Sequence, residues 1–278
     1  MAFPLPLLHQ IFLPAGSVLI MLSFMFGLRP KLPISDEDRQ WVDDGFNRLS
    51  KMVGHKRMLE AKLVLPDAEH FPDAYNKSNA AAEKMFCRIC DYMRVDRGQI
   101  ELEIFPDTTK ELKDMLPYWK GSRDGCAGLY VHPDDESHRM VVALRSSQLD
   151  DPMALVATLA HELGHVILLG GGLMEHSVKD MEPMTDLLTV FLGFGIFNAN
   201  CAARFTKWQD ERKQGWSMKR MGYLPEEIYG YALARFAQER GEHDPKWAKH
   251  LSTNVRVYFK KSAAWLEDRK TSASKPIA

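Results

Sequence analysis

The spacing of apolar residues along the chain predicts a mostly helical protein. Trp41, Phe46 and Leu49 recur at helical spacing after Ser35, which can cap the helix, and Gly54 ends the run. Further helices are predicted for residues 79–93, 152–169, 181–203, 225–239 and 245–266. The core is therefore expected to lie mainly between helices.

Shorter stretches predict strands. Residues 99–105 alternate between polar and apolar side chains, which is the pattern of a half-buried strand. Residues 128–131 and 139–145 are predicted to be two further strands joined by an acidic turn, and residues 62–65 a short fourth strand. Together these elements predict an α+β fold, in which a small sheet edges the helix at 152–169.

Composition is that of a folded protein with no special affinity for nucleic acid. The chain has 278 residues, of which 45% are hydrophobic and 26% charged, so we expect one large domain or two small ones. Its 36 basic and 37 acidic residues give a net charge of −1, which argues against a nucleic-acid partner. Four cysteines are too few for a disulfide framework, and they favour a reducing compartment.

The N-terminal segment, residues 1–30, is unusually apolar. Residues 1–28 contain no Asp, Glu, Lys or Arg, and 11–28 would span about 27 Å as a helix. The first basic residues, Arg29 and Lys31, follow directly, so the positive-inside rule places the rest of the chain in the cytoplasm. We expect an anchor in the inner membrane, with the rest of the chain at its cytoplasmic face. A docked or disordered arm and a cleaved signal peptide are the alternatives.

The candidate chemistry lies in His161-Glu162-Leu163-Gly164-His165, an HExxH motif inside the helix predicted at 152–169. Two histidines four residues apart project from one face of a helix, where a tetrahedral Zn²⁺ can take both imidazole nitrogens at about 2.0–2.1 Å. Glu162 follows the first histidine and can reach a water held on the metal, as general base. The motif therefore predicts a zinc site with a catalytic carboxylate.

A strand followed by an HExxH helix resembles the layout of zincin metallopeptidases. The metzincin pattern requires Gly at position 168 and His at 171, where this chain has Leu168 and Gly171. The gluzincin pattern ExxxD is present as Glu182-Pro-Met-Thr-Asp186, separated from His165 by sixteen residues. This resemblance implies that Glu182 is the third metal ligand and that Asp186 accepts a hydrogen bond from the ring of His161.

Other residues remain open as the third ligand. Asp186 could bind the metal itself, and Glu175 or His176 could do so from the loop between the two helices. Cys126 is a further candidate, because Asp124-Gly-Cys126 resembles the segment from which peptide deformylases take a ligand. The Gly-rich N-terminal motif of the deformylase family is missing from the chain.

The stretch from His161 to Gly195 is similar to an uncharacterised bacterial family of predicted zinc peptidases. The similarity extends more weakly to Trp41 and to residues 230–234. It implies a zincin-like domain at 35–267, followed by a polar tail at 268–278.

The implied function is zinc-dependent hydrolysis of a bond in a peptide or protein substrate, with Glu162 as the catalytic base. The alternative is a binding or regulatory module that contains zinc and cuts nothing. Peptide hydrolysis also needs a donor to the oxyanion. The sequence offers five such donors and does not choose among them: Tyr223, Tyr229, Tyr231, Arg235 and His243.

Overall fold

The computed structural model describes residues 30–106, 128–131, 139–175, 178–210 and 224–273. The segment predicted to be a membrane anchor lies outside these residues, as do the acidic turn between two predicted strands and the last five residues of the predicted tail. The described part is 66% helical and contains one small sheet, which confirms the predicted α+β class.

The first helices begin where the sequence predicts. Helix α1 (Asp36–Leu49) is capped by Ser35, whose hydroxyl oxygen accepts a hydrogen bond from the backbone N–H of Asp38 at 3.1 Å. A π-helical turn (Ser50–Gly54) extends it and ends at Gly54, where φ is +102°, and the short helix α2 (His55–Glu60) follows. Helix α3 spans Asn79–Met93. The stop at Gly54 is thus confirmed, whereas α2 was not predicted.

The three strands that the sequence predicts at 99–105, 128–131 and 139–145 are present. They are β1 (Ile100–Phe105), β2 (Gly128–Val131) and β3 (Met140–Arg145). β3 lies in the middle, parallel to β1 and antiparallel to β2. Strands β2 and β3 contact the helix that follows the sheet in sequence, as predicted.

The predicted strand at residues 62–65 is wrong. The backbone there is extended but belongs to no strand. The N–H of Val64 instead donates a hydrogen bond to the carbonyl of Gly193 at 3.0 Å, which anchors the segment to a break between two helices.

Helix α4 (Pro152–His165) is the centre of the fold. The carboxylate of Asp151 accepts hydrogen bonds from the N–H groups of Met153 and Ala154, and every residue from Leu155 to His165 is buried. A π-helical turn continues α4 to Gly170. Among the described helices, Pro152–Gly170 alone is long and apolar enough to cross a membrane, but 78% of its most apolar window is buried inside the protein.

The prediction of one long helix over 181–203 is wrong, because the chain breaks at Gly193. Helix α5 spans Met181–Phe191 and helix α6 spans Gly195–Asp210. Gly193 has φ +90°, and a Cβ built on it would lie 2.3 Å from the carbonyl oxygen of Lys62. The break therefore depends on a residue without a side chain.

We expect Gly193→Ala to destabilise the protein by about 3 kcal/mol, since the methyl group adds a backbone clash to the unfavourable φ. Gly241→Ala is the matched control, because Gly241 also has a positive φ (+67°), but apart from its two chain neighbours no described residue has an atom within 4 Å of a methyl group built there. The control should cost about 1 kcal/mol. Urea unfolding measures both variants, and equal losses would contradict the role of the clash.

The C-terminal part consists of two helices packed on each other. Helix α7 (Glu226–Glu239) lies within one residue of its prediction. A 3₁₀ turn (Lys246–His250) precedes helix α8, which spans Thr253–Ala273. α8 begins eight residues after the predicted start at 245 and ends seven residues after the predicted end at 266, so it includes part of the predicted tail.

Candidate metal centre

The two histidines of the HExxH motif and one carboxylate converge on a point between α4 and α5. The Nε2 atoms of His161 and His165 lie 3.2 Å apart. Oε2 of Glu182 lies 3.1 Å from Nε2 of His161 and 3.2 Å from Nε2 of His165. The three atoms thus form a nearly equilateral triangle.

This triangle has the size that a tetrahedral metal ion requires. Ligand atoms at about 2.0–2.1 Å from a zinc ion, with tetrahedral angles between them, are separated by about 3.3–3.4 Å. Two facing imidazole nitrogens and a carboxylate oxygen are also a donor set typical of zinc. His161, His165 and Glu182 therefore form a group that could hold a metal ion.

The local helices explain this convergence. His161 and His165 are one turn apart on α4, so their side chains lie on the same face. Glu182 lies in the first turn of α5, where the helix dipole favours a carboxylate. The histidine side chains are 4% and 6% exposed and that of Glu182 is 29% exposed, so the group meets solvent mainly on the Glu182 side.

Asp186 lies on the other side of the His161 ring. Its Oδ1 accepts a hydrogen bond from Nδ1 of His161 at 2.8 Å, and its Oδ2 accepts one from the backbone N–H of Leu224, also at 2.8 Å. Because Asp186 is fully buried and both of its oxygens are engaged, it lies outside the group that could hold the metal. Its contact directs Nε2 of His161 at the centre.

The charges of the group are strongly coupled. Burial alone would lower the pKa of His161, but hydrogen bonds to Asp186 and Glu182 raise that pKa well above its usual range. Burial would raise the pKa of Glu182, but hydrogen bonds from His161 and His165 hold it far below its usual range. Glu182 is therefore anionic, as a metal ligand must be, and a bound cation would take the place of the protons that the two rings donate to Glu182.

Glu162 is buried on α4 directly after His161, with 4% of its surface exposed. Its charge is close enough to contribute to the raised pKa of His161. The other candidates for the third ligand are placed differently. Glu175 is exposed and is not part of the group, while His176 and Cys126 lie outside the described residues.

Three of the candidate oxyanion donors contact residues outside the metal group. The hydroxyl of Tyr231 donates to Asp43 at 2.9 Å, and the guanidinium of Arg235 lies 2.6 Å from the carboxylate of Glu239. His243 is 3.6 Å from Glu267 on the surface.

The two remaining candidates are the other tyrosines. Tyr229 is buried in the core of α7, and Tyr223 lies outside the described residues.

Thr185 is a neighbour of the group that the sequence did not reveal. Its Oγ1 lies 3.3 Å from Nδ1 of His165, and the residue is fully buried on α5. The only signal for it is its position next to Asp186, and a threonine in an apolar helix is usually core packing.

Comparison of the chain with protein-family models, with curated proteins and with solved structures gives no match. The resemblance to zincin peptidases therefore stays a prediction from the two sequence motifs.

We expect Asp186→Asn to weaken zinc binding by about 10–100-fold while the number of ligands stays the same. An amide has one acceptor oxygen, so it cannot accept hydrogen bonds from both His161 and Leu224 as the carboxylate does. Competition with a coloured chelator measures the affinity. Wild-type affinity in this variant would contradict the role of the hydrogen bond to His161.

Proposed function

We propose that the chain is a zinc-dependent peptidase, in which His161, His165 and Glu182 hold the metal and Glu162 is the catalytic base. One observation carries the proposal: both Nε2 atoms and one carboxylate oxygen meet at separations of 3.1–3.2 Å beside the glutamate of an HExxH motif. The substrate class is a peptide or a protein.

When bound, zinc supplies a Lewis acid that polarises a carbonyl and makes a water molecule easier to deprotonate. The carboxylate of Glu162 accepts the proton that the attacking water loses, and it then donates this proton to the leaving amine as the C–N bond breaks. Asp186 holds His161 in one tautomer throughout.

The competing function is a zinc-containing module that binds a partner without hydrolysis. The burial of the His161 and His165 side chains, at 4% and 6% exposure, favours this alternative, because structural zinc sites are closed. A structural site, however, has four protein ligands, whereas the group found among the described residues has three. A purely structural site also does not require a general base such as Glu162.

Removal and return of the metal test the proposal. Wild-type protein should cleave at least one member of a peptide library, lose this activity in a strong chelator, and regain it with one equivalent of zinc. Mass spectrometry of the products identifies the bond that is cut. A zinc-loaded protein that cleaves no peptide and no unfolded protein would overturn the peptidase and favour the binding module.

A further inference from the structure

We infer that Thr185 is a positioning residue that fixes the ring of His165, and that Gly164 of the HExxH motif is what allows Thr185 to reach it. The inference rests on the metal group of the proposed function but not on hydrolysis. It concerns how the second histidine is held, a point on which the ExxxD motif gives no expectation.

The hydrogen bonds around Thr185 have a defined direction. Its hydroxyl donates its single proton to the backbone carbonyl of Met181 at 2.9 Å. Towards Nδ1 of His165, 3.3 Å away, the oxygen therefore offers only lone pairs. His165 is thus the donor through Nδ1–H, which leaves Nε2 as the nitrogen that would bind a metal.

The same arrangement serves the other ligand. Asp186 accepts a hydrogen bond from Nδ1 of His161, so two consecutive residues of α5 hold the two histidines of α4. Both histidines consequently present Nε2 to the same point. Hydrogen bonds of this kind typically contribute 10–100-fold to metal affinity. Because Thr185 is neutral and its contact is longer, we expect an effect at the lower end.

Gly164 sets the distance between the two helices at this point. A Cβ built on Gly164 would lie 2.7 Å from Cγ2 of Thr185, which is closer than side chains tolerate. Thr185 is fully buried and cannot move away without displacing α5. A larger residue at position 164 would therefore push the hydroxyl of Thr185 away from His165.

The test compares zinc affinities of Thr185→Val, Thr185→Ala and Thr185→Ser, measured by chelator competition. Valine keeps the shape and removes the hydroxyl, and alanine is a smaller second variant in case valine impairs folding. Both should bind zinc about 10-fold more weakly than wild type, and serine should restore affinity to within about 3-fold.

Thr189→Val is the matched control. Thr189 is also fully buried on α5, one turn later, and its hydroxyl donates to the backbone carbonyl of Asp186 at 2.7 Å rather than contacting a histidine. It should lose thermal stability as Thr185→Val does while keeping wild-type zinc affinity.

Three results would overturn the inference: unchanged affinity in Thr185→Val, no rescue by serine, or an equal loss of affinity in Thr189→Val. Wild-type protein that binds no zinc would overturn the metal group as well. Failure of the proposed peptidase is distinguishable from failure of this inference. The Thr185 and Thr189 variants would still show these zinc affinities even if the protein cleaved no peptide.

Discussion

Glu162→Gln is expected to lower the rate of peptide hydrolysis by about 1000-fold while the protein keeps its zinc and its fold. The amide has nearly the size of the carboxylate but cannot accept the proton of the attacking water, and general base catalysis typically contributes 10²–10⁴-fold. Glu162 is not one of the three groups that converge on the centre, so its replacement removes no ligand. Steady-state kinetics on a peptide that wild type cleaves, together with elemental analysis, measure both effects.

Glu60→Gln is a suitable control, since Glu60 lies at the end of α2 with 45% of its side chain exposed and pairs there with Lys56. It should hydrolyse the peptide at the wild-type rate. Wild-type activity in Glu162→Gln would contradict the assignment of the base, whereas loss of zinc from this variant would mean that Glu162 helps to hold the metal.

His161→Ala, His165→Ala and Glu182→Ala are each expected to reduce zinc affinity by about 1000-fold. The binding free energy of a four-ligand structural zinc site is about 10–16 kcal/mol, or roughly 2.5–4 kcal/mol for each ligand, and the upper end of this range corresponds to about 1000-fold. All three residues contribute one atom to the same triangle, so each variant leaves a two-ligand site. Competition titration with a chelator of known affinity gives the three values.

His55→Ala is the control for these variants, because His55 is half-exposed at the start of α2 and lies 3.9 Å from Glu239. Its zinc affinity should equal that of wild type. If Glu182→Ala also kept wild-type affinity, another residue would be the third ligand, and Glu175, His176 and Cys126 would have to be tested in turn.

Much of the fold could be predicted because its elements carry local signals. Helix α4 has a capping Asp151, Pro152 at its first position and glycines after its end, and the structure follows these signals closely. The α+β class and the three strands of the sheet were predicted for the same reason.

The wrong predictions concern segments whose conformation depends on contacts between residues that are far apart in the sequence. Gly193 lies in an apolar run that looks like one continuous helix. The break is explained by its hydrogen bond with Val64 and by the carbonyl of Lys62, which leaves no room for a side chain at position 193. The hydrogen bond between Val64 and Gly193 also holds residues 62–65 outside the sheet. No local pattern in either segment could have revealed the other.

The candidate site was likewise predictable only in the part that depends on local spacing. The spacing of His161 and His165 within one helix predicts two side chains on one face, whereas Glu182 was predicted only through the resemblance to gluzincins. Thr185 was missed because its role depends on how closely α5 approaches Gly164, which sequence spacing does not specify.

X-ray absorption at the zinc edge of the zinc-loaded wild-type protein tests the central claim most directly. The spectrum reports the ligand atoms of the metal and their distances. We predict about one zinc per chain, with two imidazole nitrogens at about 2.0–2.1 Å and oxygen ligands at about 2.0–2.2 Å. A shell with fewer than two imidazoles, or one that contains sulfur at about 2.3 Å, would contradict a site made by His161, His165 and Glu182.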